Sequence, residues 1–178
     1  QQRVRVSSPR DRRLANVLSK MGETCDSLSL SKNVLETASM IYRNLDEHIE
    51  VKGKSVASIT AATIYMACKQ CDVVRSLEEI CKGICAPKDV KSKTKLAARY
   101  YRTMVMEMGQ LTAPVVTMDK YISKIANMTQ TEVRVERLAL EIAEKTKDSS
   151  IADGKAPNGI AAAYLYVSSV LLGQNVLQ

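Results

Sequence analysis

The chain matches itself at a constant offset of 101 residues, and this self-similarity restricts its fold more than any other feature. Gly53-Lys54 superposes on Gly154-Lys155, and Ile59, Ala61, Ala62 and Tyr65 superpose on Ile160, Ala162, Ala163 and Tyr166. Between positions 53 and 66 that is six identities in 14, with no gap. The same offset carries Val34, Ala38 and Ile41 onto Val135, Ala139 and Ile142. A repeat of this length is one packed unit used twice, and 178 residues are enough for two small units.

Within the unit the apolar period is helical, and no stretch alternates as a strand does. Ser8-Pro9 followed by Asp11 predicts a helix start, with a capping hydroxyl, a proline in the first turn and an acid at the positive end. Leu14, Val17, Leu18, Met21 and Cys25 then keep three-to-four spacing. Ser31 opens a second helix with Val34, Leu35, Ala38, Ile41, Tyr42 and Leu45 on one face. Val56 to Cys71 is apolar on nearly all sides and predicts a central helix ringed by others. Ser76-Leu77-Glu78-Glu79 is a capping box that opens a short fourth helix ending near Gly83. Pro87 opens a fifth, with Leu96, Ala97, Tyr100, Tyr101, Met104, Val105 and Met108 inward and its lysines outward.

Gly109 to Thr117, with Pro114, reads as a linker. Three more helices follow: Met118, Tyr121, Ile122 and Ile125 mark one, Val135, Leu138, Ala139 and Ile142 the next, and Pro157 to Leu172 an apolar third. The expected fold is all-α, with two tandem helical repeats of which the second is incomplete, about three helices of five. That second copy stops at Gln178 and is expected to expose apolar surface and to be the less stable of the two. The division is a basic linker over 1–13, a first repeat over 14–109 and a second over 110–178.

Charge separates the functional classes. The net charge is +7, yet two segments hold the entire surplus. Residues 1–13 carry Arg3, Arg5, Arg10, Arg12 and Arg13 against one acid, and residues 82–102 carry seven cations against one acid. Lysines on a helix are ordinarily a solvated face, but clustering of this kind points to a polyanion or an acidic partner. Lys88, Lys91, Lys93, Lys95 and Arg99 are the candidates in the second segment. Lys52, Gly53, Lys54 and Ser55, together with Gly154-Lys155, precede long helices, whose first N–H groups and partial positive charge suit phosphate. Arg75, directly before the capping Ser76, has the same geometry; Lys54 and Arg75 are both expected to be exposed.

Other classes fit poorly. The longest apolar run, Val56 to Cys68, is 13 residues, short of the ~18 that span a membrane. The arginine-rich start has no apolar stretch and reads as no secretory signal. The single histidine, His48, excludes His-rich metal sites, and no nucleophile–base constellation appears at helical spacing, which argues against an enzyme. His48 is expected to meet the carbonyls ending its helix. Cys68, Cys71, Cys81 and Cys85 superficially resemble a zinc ligand set, but they fall within predicted core helices and read better as small buried thiols. Met104, Met106 and Met108 read as core and linker packing.

Gly-Lys-Ser before an alanine-rich helix ending Ile64-Tyr65-Met66-Ala67-Cys68-Lys69-Gln70-Cys71, then Val74-Arg75-Ser76-Leu77-Glu78-Glu79-Ile80, resembles the first cyclin-like repeat of the transcription factor B and factor IIB family. Gly154-Lys155-Ala156-Pro157-Asn158-Gly159 with Ala161-Ala162-Ala163-Tyr164-Leu165-Tyr166 resembles the second, and Gln2-Arg3-Val4-Arg5-Val6-Ser7 resembles the linker of archaeal members. The resemblance implies a non-enzymatic initiation factor that binds the TATA-box-binding protein on promoter DNA and bridges it to RNA polymerase. It also implies an archaeal cytoplasmic, nucleoid-associated setting, or a nuclear one if eukaryotic. It implies no small-molecule substrate, and no cofactor in this segment; zinc belongs to a ribbon that this sequence lacks. The N-terminal arginines would line DNA or polymerase. The reader helices of the second repeat would lie beyond Gln178, and Asn175-Val176-Leu177 stands where the family carries basic residues and threonine. The alternative is a cyclin-like interaction module whose basic patches meet an acidic partner or a kinase.

Overall fold

Ser8 starts the first helix as its sequence demands. Its Oγ accepts from the Asp11 N–H at 3.1 Å, and its own N–H donates to Asp11 Oδ2 at 2.9 Å. In the computed structural model, which describes residues 8–48, 53–107, 116–150 and 154–174, this cap opens α1 (Pro9–Ser27). There follow α2 (Lys32–His48), α3 (Val56–Gln70), α4 (Leu77–Ile84), a 3-10 turn over Pro87–Asp89 and α5 (Val90–Glu107). Then come α6 (Met118–Met128), α7 (Val133–Thr146) and α8 (Pro157–Leu171). The described residues contain no strand. The chain divides into two compact units, Gln1–Pro114 and Val115–Gln178.

In the first unit α3 is the hub, packed against α1, α2, α4 and α5. Ile59, Ala61, Ala62, Ile64, Met66, Ala67 and Cys68 are all at most 1% exposed, which is why this helix carries apolar side chains around its whole circumference. Two details differ from the sequence pattern. Pro87 opens a separate 3-10 turn, with α5 beginning at Val90, and α4 runs through Gly83 to Ile84. A Cβ at Gly83 would meet Ser27 Oγ at 3.2 Å, so the glycine lets α4 approach the end of α1.

The duplication extends further in the backbone than in the residue identities. After α1, Ser29 takes φ +50° and Leu30 donates to the Cys25 carbonyl at 2.8 Å; 101 residues later Gln130 takes φ +50° and Thr131 donates to Ala126 at 2.9 Å. After α3, Asp72 (φ +59°) and Val73→Cys68 (2.7 Å) match Gly173 (φ +67°) and Gln174→Ser169 (2.8 Å) after α8. These are the left-handed caps that satisfy the last helical carbonyls.

The second unit packs α6, α7 and α8 on one another, around Ile122, Val135, Leu165 and four alanines. Helix α8 repeats α3 in sequence but not in surroundings. Ala61, Ala62 and Met66 are buried, while their counterparts Ala162, Ala163 and Val167 are exposed. Tyr166, Val170, Leu171 and Leu172 are exposed as well. A groove of about 430 Å³ runs past Ile142, Thr146, Lys155, Ile160, Ala163 and Val167. In the first unit the equivalent place, beside Leu45, Lys54 and Ile59, is closed by Tyr100, Thr103 and Met104 of α5 to a gap of about 10 Å³.

Candidate nucleic-acid interface

Gly53 and Gly154 hold left-handed backbone, at φ +77° and +72°, just before α3 and α8. A Cβ at either would meet nothing within 4 Å, so glycine is needed there for its conformation and the space beside it is open. A lysine follows each glycine, and then a helix start; α3 presents its first N–H groups there, whereas α8 begins at Pro157, which has no N–H, and its Gly159 N–H donates to the Ala156 carbonyl at 2.9 Å, so fewer donors are free. That combination of free donors, helix dipole and ammonium favours an anion.

The two turns are held differently. Lys54 is half-buried, and its carbonyl accepts from an Arg13 Nη at 2.7 Å. The next residue, Ser55, stands at the cap of α3 without a side-chain bond to the helix backbone; its N–H donates to the Tyr100 hydroxyl at 3.4 Å, and its Oγ accepts from Lys93 Nζ at 3.4 Å. In the second unit Lys155 is exposed, Ala156 stands at the cap and Pro157 begins α8. Lys52, Arg3 and Arg5 lie outside the described residues, as do the His48 side chain, Met108 and Asn175-Val176-Leu177.

The basic cluster divides on folding. Lys91, Lys95, Arg99 and Arg102 are exposed at helical spacing along α5, a stripe about 16 Å long at 1.5 Å per residue. Lys88 is exposed on the preceding turn. Lys93 leaves the stripe for Ser55, so the sequence cluster serves two places. Tyr100 and Arg13 join the α3 turn, and neither signals this locally because their partners are 45 and 41 residues away. A further cation is legible in retrospect: Lys69 lies over the Tyr65 ring four residues earlier at 5.3 Å, and over Tyr101 at 5.8 Å.

Arg75 does not stand exposed. It is half-buried, and one Nη donates at 3.0 Å to the carbonyl of Leu28, the residue capping the end of α1. A guanidinium there satisfies an orphan carbonyl and complements the negative helix end. Arg75→Glu would remove the bond and place a carboxylate against that end. We expect a loss of about 1–3 kcal/mol in urea unfolding; an unchanged midpoint would mean the side chain is used in solvent instead. Arg10 is engaged too: Nε meets Asp46 Oδ2 at 2.6 Å and an Nη meets the Asp46 carbonyl at 3.1 Å, whereas Arg12 is exposed.

Cys25, Cys68 and Cys81 are buried, and Cys71 and Cys85 half-buried. Among the described residues no three of His, Cys, Asp or Glu are grouped so as to hold a metal ion, and no helix is long and apolar enough to cross a membrane. Met104 is core, but Met106 is 83% exposed, against the expectation of core and linker packing.

The family described as Transcription factor TFIIB repeat matches residues 10–101 and 111–175. The transcription initiation factor IIB of Archaeoglobus fulgidus is 35% identical over 178 residues, which are 100% of this chain and 52% of that protein. That of Saccharolobus shibatae is 36% identical over 169 residues, 95% of this chain and 53% of the relative. The chain therefore spans about half the length of these relatives. Among solved structures, a chain of the yeast RNA Pol II CTD kinase CTDK-1 complex shares the fold at 17% identity and a TM-score of 0.50, over 95% of this chain and 57% of that one.

Proposed function

The chain belongs to the transcription factor TFIIB family, and from that premise we propose that it is the part of an initiation factor that grips promoter DNA carrying the TATA-box-binding protein. It acts by binding, without catalysis, and links that complex to RNA polymerase in an archaeal nucleoid setting. Residues 14–109 and 110–178 serve as its two cyclin-like repeats.

The observation that carries this reading is the doubled Gly-Lys turn. Both innermost helices begin behind a left-handed glycine and a lysine, and a module built only to bind another protein has no need to keep that pair twice. Lys54 and Lys155 with the first turns of α3 and α8 take phosphates. The exposed stripe Lys91, Lys95 and Arg99, with Lys88 before it, takes further phosphate or an acidic face of the saddle protein. Arg12, with Arg3 and Arg5 before it, extends the basic surface, while Arg10 is paired with Asp46.

Neutralising roughly five to seven phosphates makes log affinity fall with log salt at a slope of about −5 to −6, or about a thousandfold between 50 and 200 mM. A band-shift titration of the chain on a TATA-box-binding protein–duplex complex measures the slope. A flat response overturns the phosphate reading and favours the protein-interaction module.

A further inference from the structure

We infer that Arg13 is a positioning residue for the first Gly-Lys turn: by fixing the Lys54 carbonyl it presets the backbone from which the Lys54 ammonium and the first N–H groups of α3 meet phosphate. This rests on the reading that Lys54 contacts DNA.

Three observations converge. First, Arg13 reaches across 41 residues, from α1 to the Lys54 carbonyl, at 2.7 Å in a part-buried setting. Second, Ser55 makes no side-chain cap bond, and α1 and α5 supply contacts to the turn through Arg13 and Tyr100. Third, Arg13 is drawn into the interior: its Nε is buried without a hydrogen-bond partner, as is the hydroxyl of Tyr42, which is 0% exposed, and the Arg13 charge opposes the rise that burial gives the pKa of that phenol. A turn ordered during folding has already lost the backbone freedom that a loose one surrenders on binding.

The second unit supplies an internal contrast. At the offset of 101, Arg13 corresponds to Pro114, which has no side-chain donor, and Lys155 is exposed where Lys54 is half-buried. The two turns share the Gly-Lys pair and the backbone angle, yet among the described residues only the first has an arginine tethering it. The first thus acts as a preset contact, and the second adapts to the duplex.

A double-mutant cycle on the full chain, read by band shift on the TATA-box-binding protein–duplex complex across salt, tests this. Lys54→Ala is expected to weaken binding about tenfold and to make the salt slope shallower by about 0.9. Arg13→Ala is expected to weaken it several-fold alone, and in the Lys54→Ala background to add clearly less than that, through the α3 N–H groups alone, with no further change of slope. Additive losses, with the slope shallower by a further unit, would mean that Arg13 binds phosphate directly and would overturn the inference. No effect of Lys54→Ala would instead remove the underlying reading of the turn. Circular dichroism confirms folding of each variant, and Arg13→Lys replaces Arg13→Ala in the cycle if the alanine variant does not fold.

Discussion

Ile64→Ala is expected to cost the first unit about 4 kcal/mol, and its counterpart Leu165→Ala about 2 kcal/mol in the second. Ile64 is 0% exposed in a helix enclosed by α1, α2, α4 and α5, so the cavity left by truncation has little room to collapse. Leu165 is 6% exposed, and its helix is packed by α6 and α7, with an apolar groove along the free side into which neighbours can relax. The smaller loss is the more damaging one. Among the described residues of the second core, Ile122, Val135 and Leu165 are the only buried cluster members larger than alanine, which leaves little stability to lose. Two units need not unfold together, so the measurement is native-state hydrogen exchange in urea, read separately at α3 and α8 amides. Equal free-energy losses at the two sites would contradict the difference in enclosure.

Raising the pH from 9 to 11 is expected to destabilise the first unit by about 4 kcal/mol through two thiols. Burial is the main cause for both: it pushes Cys25 from an ordinary 9.0 to about 11, with Asp26 adding to it, and Cys68 to about 12, with Cys25 adding to it. A folded-state value above the unfolded one means that the native protein keeps its proton longer. The contribution is therefore whole below pH 9 and is lost as the pH rises toward the folded values. Buried Tyr42 shifts in the same direction and adds to the loss above pH 10. All five cysteines lie in the first unit, so the thiol effect belongs to it alone. Urea midpoints by circular dichroism at pH 8, 9, 10 and 11 follow the decline, and the double variant Cys25→Ala/Cys68→Ala should reduce it, with Cys81 and Cys85, whose thiols burial also pushes up, keeping a part. A midpoint level across that range would mean that the thiols reach water.

Both expectations depend on features that differ in how far they can be read in advance. The Ser8–Asp11 and Ser76–Glu79 capping boxes are complete within four residues, and the structure forms both pairs of hydrogen bonds. The burial stripes of α1 and α2 follow from their three-to-four spacing, and the all-α fold with its doubled unit follows from the period and the 101-residue offset. The candidate site was legible only in part. Glycine before lysine before a helix marks both turns, because a left-handed residue and a helix start are local matters. Lys54 and Arg75 read as exposed in the sequence, yet both are half-buried, and Lys93 leaves the surface stripe with which its spacing groups it.

What sequence alone determined here is whatever a few consecutive residues settle by sterics and hydrogen bonding: where helices start, how they end, which face is apolar, and that the unit occurs twice. Tertiary structure alone decided the fate of the long cations and of the two inner helices. An arginine or lysine side chain can reach either solvent or a distant carbonyl, and Arg10, Arg13 and Arg75 found acceptors 36, 41 and 47 residues away. Helices α3 and α8 share an apolar pattern, yet only α3 is enclosed. Burial is a property of what packs against a surface, and a helix's own residues do not specify its neighbours.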